Sequence, residues 1–357
     1  MSDAARKEAS GTSEASDNNA MLRALALVAE GRDLDRAQSR AVITRIMQGE
    51  ATAAQIGALL MGLRLKGETL DELAGAAEAM RSFATPVRCT RRPLLDTCGT
   101  GGDGRGTPNI STAAGLVAAA CGAGVAKHGN RSVSSRSGSA DLLEAAGVRI
   151  DLSPEQMGRC LEDVGFALLF APTLHGAMKH AVGPRREMRL RTIFNLLGPL
   201  TNPAGAERQL LGVFDEGKAR LVAGALRLVG VERAWVVHGS DGFDELSVTA
   251  DSLVFEVAGD APVGESRVTP EDAGLPRHSL LPVGGDPAEN ARWLLDLLNG
   301  SRRDASRDMV VFNTAAALVV AGVAPSLPEA RAVAEDAIDA GKALALLVLL
   351  RDVTNRL

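Results

Sequence analysis

The chain has 357 residues, of which 46% are hydrophobic and 23% charged, and its formal net charge at pH 7 is −5. This length is sufficient for two domains, and the balance of apolar and charged residues is that of an ordinary soluble globular protein. Because the chain has 39 basic and 44 acidic residues, its charge argues against broad electrostatic binding to nucleic acid, whereas it allows a local basic pocket for a small anion.

Residues 1–19 are polar and nearly free of large apolar side chains, which predicts a disordered tail rather than a signal or transit peptide. Four helical segments separated by glycine-containing turns follow, one of them starting with a capping box at Thr69–Glu72, and they predict a small helical domain over residues 20–86. The four cysteines lack CxxC spacing, and no apolar segment is long enough to span a bilayer. We therefore expect buried, reduced thiols in a cytoplasmic protein without a membrane partner.

From Pro93 onward, short apolar runs alternate with amphipathic helical segments. Seven runs have the length and composition of buried strands: "PLLDTC", "GVAKHG", "FALLFA", "QLLGVF", "AWVVHG", "DSLVFEV" and "DMVVFN". The alternation predicts an α/β fold whose central, mostly parallel sheet is flanked by helices on both faces. Ligands of such sheets gather beyond the carboxyl ends of the strands.

A glycine-rich segment, "LLDTCGTGGDGRGTPNIST" over residues 94–112, follows the first of these runs. Its glycines formally satisfy GxGxxG, but Pro108 delays the next helix to about Ser111 and no GK[ST] follows, which disfavours both a dinucleotide loop and a Walker loop. The glycines instead suit a nest of backbone amides around an anion. Asn109, Ser111 and Thr112 would add a helix N-terminus for a second phosphate.

A second polar loop, "VAKHGNRSVSSRSGSAD", follows the next predicted strand and ends at Ser139 on the cap of a further helix. Lys127, Arg131 and Arg136 in this loop predict cationic charge beside the glycine nest. Two helix N-termini together with three cations indicate a ligand that has more than one phosphate group.

Two adjacent carboxylates, Asp244 and Glu245, follow another predicted strand in "VVHGSDGFDELS". Neighbouring acids in a loop are usually just solvated, but in a phosphate site they also suit Mg²⁺, which takes one or two carboxylates together with substrate oxygens. The sheet architecture allows this loop to reach the phosphate pocket, so the pair is a candidate magnesium site.

Four motifs in this order, "GTGGDGRGTPNIST", "KHGNRSVSSRSGSAD", "RTIFNLLGPLTNPA" and "VVHGSDGFDE", make the chain resemble the anthranilate phosphoribosyltransferase family from about residue 21 to the C-terminus. The resemblance implies a homodimer formed through the helical domain, which residues of about 173–203 would join. Residues 87–172 and 204–357 would form the large α/β domain. It also implies transfer of phosphoribosyl from phosphoribosyl pyrophosphate to the amine of anthranilate, with release of pyrophosphate and the help of Mg²⁺, two ions being expected.

The same resemblance assigns roles to particular residues. Those expected to bind phosphoribosyl pyrophosphate are Gly99, Gly102, Asp103, Thr107, Asn109, Ser111, Thr112, Lys127 and Ser139. Those expected to hold metal are Ser111, Asp244 and Glu245, and those expected to hold anthranilate are Gly99, Asn130 and Arg185. Lys127, Asp244 and Glu245 are expected to be catalytic, because negative charge grows on the departing pyrophosphate.

This chain departs from the family pattern at Arg189 in "REMRLRT", where the family usually has glycine. We expect a helical stretch there, which tolerates arginine better than glycine, and the extra cation leaves a substituted aminobenzoate open as the acceptor. Two other functions are alternatives. A pyrimidine nucleoside phosphorylase of the same fold would need a Lys-x-Ser-Gly phosphate loop in place of "KHGN", and a non-enzymatic, nucleic-acid-binding relative would need a basic face.

Overall fold

The computed structural model describes residues 20–101, 104, 106–132, 136–280 and 283–357. The predicted tail over residues 1–19 and two predicted phosphate-binding residues, Gly102 and Asp103, lie outside the described residues. The chain divides into two compact units. The first consists of the N-terminal part up to Ala84 together with His175–Thr201, and the second consists of Thr85–Leu174 and Asn202–Leu357. The boundaries inferred from sequence, at residues 86, 173 and 203, lie within two residues of these.

Helices and strands are numbered here in chain order over the described residues. The helices are α1 (residues 20–29), α2 (Arg36–Gln48), α3 (Ala53–Lys66), α4 (Leu70–Phe83), α5 (Ile110–Ala120), α6 (Ser139–Ala145), α7 (Pro154–Asp163), α8 (Ala171–Leu174), α9 (Lys179–Met188), α10 (Phe194–Leu197), α11 (Glu216–Leu228), α12 (Pro287–Leu298), α13 (Ala305–Ala321), α14 (Leu327–Asp339) and α15 (Lys342–Arg356). The strands are β1 (Leu94–Gly99), β2 (Gly124–Gly129), β3 (Phe166–Phe170), β4 (Arg208–Gly212), β5 (Arg233–Gly239), β6 (Ser252–Ala258) and β7 (Gly264–Val268).

The first unit is helical, and α2, α3 and α4 each begin at a capping box. The box predicted at Thr69–Glu72 is confirmed, because the Thr69 hydroxyl accepts from the Glu72 amide and the Glu72 carboxylate accepts from the Thr69 amide at 2.9 Å. Glu72 is fully buried, and its carboxylate also accepts from the Leu34 amide and from Lys66 Nζ, each at 2.8 Å. These donors compensate the buried charge, so one cap ties α4 to the turn before α2 and to the end of α3.

The second unit contains one sheet, whose described strands run in the order β3-β2-β1-β4-β5-β6-β7. Neighbouring strands from β3 to β5 are parallel, and β6 and β7 continue the sheet in antiparallel pairing. The predicted α/β fold with a mostly parallel sheet is therefore confirmed. Gly99 at the end of β1 lies opposite Gly212 at the end of β4. The carboxyl ends of the parallel strands thus share one edge of the sheet, where the polar loops emerge.

Successive residues of the central strands enter two different apolar cores, because side chains alternate between the two faces of a strand. Leu95 and Val125 belong to a large core that includes residues of α5, α12, α13 and α14, whereas their neighbours Leu94 and Ala126 belong to a smaller core with residues of α7. Burying a leucine side chain contributes roughly 1.5–3 kcal/mol. Burial on both faces explains why these strands are continuous apolar runs in the sequence.

The prediction of a strand at "DMVVFN" is wrong, because these residues lie inside α13. Asp304 caps this helix through its carboxylate, and nearly every residue from Ala305 to Val320 is buried, so the helix is buried on all sides. A short apolar run in such a helix has no periodicity that distinguishes it from a buried strand. Conversely, β7 has no apolar signal, since it is a largely exposed strand at the sheet edge.

Burial of the cysteines is more varied than expected. Cys98 and Cys160 are buried, whereas Cys89 and Cys121 are only half-buried, and all four thiols are free. Over the described ranges, no helix has both the length and the apolar content that a bilayer crossing requires.

Candidate active site at the carboxyl edge of the sheet

The loops that carry most of the predicted site residues emerge from one edge of the sheet. The glycine-rich segment follows β1, the loop with Asn130 and Ser139 follows β2, and the loop with Asp244 and Glu245 follows β5. Since these strands are parallel and belong to one sheet, their following loops lie at the same edge. The fold therefore brings together sequence segments that are more than a hundred residues apart.

The acidic loop rests directly on the ends of β1 and β4, where two glycines leave room for it. A Cβ placed on Gly99 would lie 3.3 Å from Asp244 Oδ2, and one placed on Gly212 would lie 1.5 Å from the carbonyl oxygen of Asp244. Any side chain at Gly212 would collide with this loop. The two glycines consequently set the position of the acidic pair against the start of the glycine-rich segment.

Glu245 lies at the N-terminus of α5. Its Oε1 accepts from the backbone amide of Ser111 at 3.1 Å, where the positive end of the helix dipole favours an anion. Lys127 Nζ lies 3.4 Å from the Ser111 hydroxyl oxygen and donates to the carbonyl oxygen of Thr97. Ser111 thus lies between a carboxylate and an ammonium group, which makes this helix end an electrostatically polarised site.

Lys127 is 2% exposed, and burial lowers the pKa of its ammonium group, an effect that the nearby charge of Asp96 opposes. Asp96 is fully buried on β1, and burial raises the pKa of its carboxyl group, opposed by the hydrogen bond from Asn202. The Asp96 carboxylate accepts from Asn202 Nδ2 at 2.8 Å and from the His128 amide at 3.0 Å. These hydrogen bonds hold Asp96 near Lys127, where its negative charge favours the protonated ammonium group. Sequence analysis missed Asp96 and Asn202.

Asn109 is the N-cap residue of α5, as its position before the helix indicates, but its side chain does not cap the helix. Its Nδ2 donates to the Ser137 carbonyl oxygen at 3.0 Å, and its Oδ1 accepts from Asn290 Nδ2 at 3.1 Å. Thr112 is buried, and its backbone amide donates to the Asn109 carbonyl oxygen at 3.2 Å. Thr107 precedes them and is half-buried. The first turn of α5 is thus held through backbone groups.

The cations of the second loop are less available than the sequence suggested. The Arg131 guanidinium forms a bidentate pair with Glu144 at 2.7 and 2.9 Å and also donates to Asp141 at 3.0 Å. Arg136 donates to the Gly284 carbonyl oxygen at 3.4 Å and lies 3.7 Å from Glu289. Carboxylates therefore neutralise the charge of Arg131, and Arg136 is exposed and held away from the site. Lys127 alone of the three predicted cations contacts the N-terminus of α5 in the described chain.

Ser139 and Asn130 lie close to each other at the start of α6. Ser139 is the first residue of α6 rather than its cap, which is Gly138, and its hydroxyl donates to the Asn130 carbonyl oxygen at 3.3 Å. The Asn130 side chain accepts from the Arg131 amide at 2.7 Å. These two hydrogen bonds join Asn130 to the start of α6 and to the Arg131 backbone.

Arg185 belongs to the first unit, in the last part of α9. Its guanidinium carbon lies 5.3 Å from the ring centroid of Phe194, and burial lowers its pKa, although an arginine remains protonated in such surroundings. The expectation of a helical conformation at Arg189 is wrong. Arg189 ends α9 with φ 51° and ψ 28°, a left-handed conformation that favours glycine.

The predicted metal residues offer only oxygen donors, two carboxylates from Asp244 and Glu245 and the hydroxyl of Ser111, which is the donor set that Mg²⁺ prefers. Among the described residues, no group of three or more His, Cys, Asp or Glu side chains could hold a metal ion alone. The donor set thus fits a magnesium ion that completes its coordination with substrate oxygens and water.

Comparison with protein families matches residues 22–84 to the helical bundle domain of the glycosyl transferase family and residues 91–344 to its a/b domain. An anthranilate phosphoribosyltransferase of Rubrobacter xylanophilus is 51% identical over 341 residues, which cover 94% of this chain and 98% of that protein. One from Moorella thermoacetica is 52% identical over 329 residues, covering 92% and 96%.

Solved structures agree with these relatives. The crystal structure of anthranilate phosphoribosyltransferase from Thermus thermophilus has a TM-score of 0.87 at 44% identity and covers 93% of this chain and 99% of its own. The Saccharomyces cerevisiae anthranilate phosphoribosyltransferase in complex with PRPP and Mg has a TM-score of 0.87 at 26% identity, covering 94% and 98%. The chain therefore belongs to the glycosyl transferase family whose members include the anthranilate phosphoribosyltransferases.

Proposed function

We propose that the protein transfers the phosphoribosyl group of 5-phosphoribosyl 1-pyrophosphate to the amine of anthranilate. The products are N-(5-phosphoribosyl)anthranilate and pyrophosphate, in a step of tryptophan biosynthesis. The observation that carries this proposal is the meeting of three groups at one helix end: the Glu245 carboxylate on the Ser111 amide, and Lys127 Nζ beside the Ser111 hydroxyl. Relatives about half identical over most of the chain have the same activity in their names.

The phosphoribosyl pyrophosphate site is proposed at the carboxyl edge of the sheet, where backbone amides and small residues surround the α5 N-terminus. Its residues are Gly99, Gly102, Asp103, Thr107, Asn109, Ser111, Thr112, Lys127 and Ser139. Glycines permit close approach of backbone amides to phosphate oxygens, and the helix N-terminus adds a favourable dipole.

Two Mg²⁺ ions are proposed as the cofactor, held by Asp244, Glu245 and Ser111. Bound there, magnesium neutralises charge on the pyrophosphate and supports its departure. In the structure the Glu245 carboxylate accepts from the Ser111 amide, so an anionic group already lies at this helix end. Binding of phosphate and Mg²⁺ there would replace part of this hydrogen bond. The PRPP and Mg complex of the Saccharomyces cerevisiae enzyme supports the use of this metal.

Lys127 is proposed to stabilise the departing pyrophosphate. Cleavage at C1 of the sugar leaves negative charge on the leaving group, and a buried ammonium group acts strongly in a site that excludes water. The aryl amine has a free lone pair at neutral pH, so attack needs no strong general base. Positioning and electrostatics then supply most of the rate acceleration.

Arg185, Asn130 and Gly99 are proposed to hold anthranilate. The planar guanidinium of Arg185 can donate two parallel hydrogen bonds to a carboxylate, and it lies over the Phe194 ring, which favours its positive charge. Arg185 is half-buried, which weakens the competition of water for its hydrogen bonds to the carboxylate. This assignment makes the acceptor's carboxylate the group that the first unit recognises.

A homodimer formed through the helical unit is also proposed. Met61 and Leu65 lie four residues apart on one face of α3, and they are 39% and 77% exposed. Exposed apolar side chains aligned on one helix suit burial against a second copy. The free, buried thiols of Cys98 and Cys160 accord with a reducing compartment, and we place the protein in the cytoplasm.

The proposed reaction is tested by following the loss of anthranilate fluorescence with phosphoribosyl pyrophosphate and Mg²⁺. Asp244→Asn should lower kcat/KM by about a hundredfold or more, and Arg185→Ala should raise the KM for anthranilate by about tenfold or more. Asp352→Asn on α15 and Arg186→Ala beside Arg185 are matched controls on exposed residues. No turnover of anthranilate by the native protein would reject the proposed function. Turnover of only a substituted aminobenzoate would reject the acceptor.

A further inference from the structure

Asn290, the fourth residue of α12, is a buried amide that the proposed reaction leaves without a role. It is 3% exposed, and its Oδ1 accepts from the Gly285 amide at 2.7 Å. Because a backbone amide can only donate, this bond fixes the orientation of the side chain. Asn290 Nδ2 must then point the other way, where it donates to Asn109 Oδ1 at 3.1 Å.

The orientation of Asn109 is fixed from both sides. The Ser137 carbonyl oxygen can only accept, so Asn109 Nδ2 faces it at 3.0 Å and Asn109 Oδ1 faces Asn290. One chain of hydrogen bonds thus runs from Gly285 through Asn290 and Asn109 to Ser137. It connects the start of α12 to both polar loops that the proposed phosphate site uses.

A backbone contact reinforces this connection. The Gly284 amide donates to the Gly106 carbonyl oxygen at 2.6 Å, and a Cβ on Gly284 would lie 2.7 Å from the Thr107 carbonyl oxygen and the Pro108 nitrogen. Only glycine fits here. The segment before α12 therefore packs against the end of the glycine-rich loop, and Asn290 reaches Asn109 from a fixed position.

The hydrogen bond from Asn290 changes what Asn109 can do. An asparagine at an N-cap normally turns its Oδ1 to a backbone amide of the first helical turn. In α5 no such side-chain cap bond forms, and the amide of Ser111 bonds to Glu245 instead. Without Asn290, Asn109 Oδ1 would be released to cap the helix and compete for that amide.

We propose that Asn290 is a positioning residue for the phosphoribosyl pyrophosphate site. It holds the Asn109 side chain out of the capping position, and so keeps the Ser111 amide of α5 for an anionic group. This group is Glu245 in the structure, and it would be a substrate phosphate in the complex with phosphoribosyl pyrophosphate. The inference rests on the proposed function, since it assumes that Asn109 and the α5 N-terminus bind that substrate, and Asn290 acts through Asn109 rather than by touching the substrate.

Two variants of Asn290 test the idea. Asn290→Asp keeps the acceptor for Gly285 but presents a carboxylate oxygen to Asn109, which must turn its amide round and lose the bond to Ser137. Asn290→Ala removes both bonds. Asn299→Asp at the far end of α12 is the matched control. Within the described residues the Asn299 side chain uses only its Oδ1, which accepts from the Ser301 amide at 2.9 Å, and aspartate keeps this acceptor.

Calorimetric titration with phosphoribosyl pyrophosphate and Mg²⁺, without anthranilate, gives the first readout. Both Asn290 variants should bind the substrate about tenfold more weakly or worse, while the KM for anthranilate stays within about twofold. The Asn109→Ala, Asn290→Ala double variant should bind no more weakly than Asn109→Ala alone, since residues acting through one contact are non-additive. A merely structural role would lower the Tm and leave the two substrates equally affected.

Native affinity in both Asn290 variants, or effects of the two positions that add, would overturn the inference. These results differ from failure of the proposed function. A native protein that does not bind phosphoribosyl pyrophosphate overturns both proposals, whereas a native protein that binds it but does not turn over anthranilate overturns the acceptor assignment alone.

Discussion

Arg189 stores a small amount of backbone strain at the end of α9. It is the one non-glycine residue with positive φ in the described chain, and its side chain is exposed. Arg189→Gly should raise the free energy of unfolding by about 1 kcal/mol, because glycine adopts the left-handed conformation without a Cβ clash. Arg186→Gly, at an exposed position inside the same helix, should lower it by about 1 kcal/mol. Urea denaturation measures the free energy of unfolding of both variants. A loss of stability in both would show that the backbone at Arg189 is not strained.

His175 should make stability depend on pH. Burial lowers the pKa of His175 to about 4, whereas an unfolded histidine titrates near 6.5. As the pH falls from about 6.5 to about 4, His175 binds a proton in the unfolded chain but not in the folded chain, so the free energy of unfolding falls. Between pH 7 and pH 5 the native protein should lose about 2 kcal/mol more than His175→Gln. Parallel denaturation curves for the two proteins across this range would show that the histidine is not the cause.

At the scale of the element, α13 holds the acidic loop in place. Asn313 is fully buried in this helix, its Oδ1 accepts from the Leu246 amide at 3.0 Å, and its Nδ2 donates to the carbonyl oxygens of Leu246 and Met309, each at 2.9 Å. Leu246 directly follows Glu245. Asn313→Leu would leave the buried amide and carbonyl of Leu246 without these partners and should cost about 2–4 kcal/mol of stability. It should also raise the Mg²⁺ concentration needed for half-maximal activity.

The neighbouring residue supplies the control for this prediction. Thr314 is fully buried on the same helix, and its hydroxyl has no hydrogen-bond partner in the described part of the chain. Thr314→Val should therefore be neutral or slightly stabilising by thermal and chemical denaturation. A similar loss of stability in both variants would mean that disturbed packing of α13 explains the effect of Asn313→Leu. The lost hydrogen bonds to Leu246 would then not be the cause.

The same helix marks the limit of reading elements from sequence. The strands that alternate with capped helices were predictable, because they are short apolar runs bounded by glycine. The "DMVVFN" run has the same composition, but its helical state follows from burial on every side in the folded core, which a local pattern does not contain. β7 is the converse case, since its pairing with β6 rather than its own apolar residues makes it a strand.

The candidate site divides in the same way. The places of the glycine-rich loop and of the acidic pair were predictable, because each loop follows a predicted strand in the sequence. Asn290 and Asn313 were not, since each acts on a loop that is 67 to 181 residues away along the chain. Asp96 gave a usable signal, a single carboxylate inside an apolar strand, which is costly unless buried partners compensate it.

For the whole molecule, the remaining question is how many copies assemble. If α3 forms the interface, Leu65→Glu would place a charge in an apolar contact and should convert a dimer into a monomer of 37.1 kDa, as measured by light scattering after gel filtration. Val348→Glu is the matched control, because Val348 is an exposed apolar residue, 46% exposed, on α15 of the second unit. It should leave the native mass unchanged. A native protein that elutes as a monomer, or a Leu65→Glu protein that stays dimeric while remaining folded, would exclude this face of α3 as the interface.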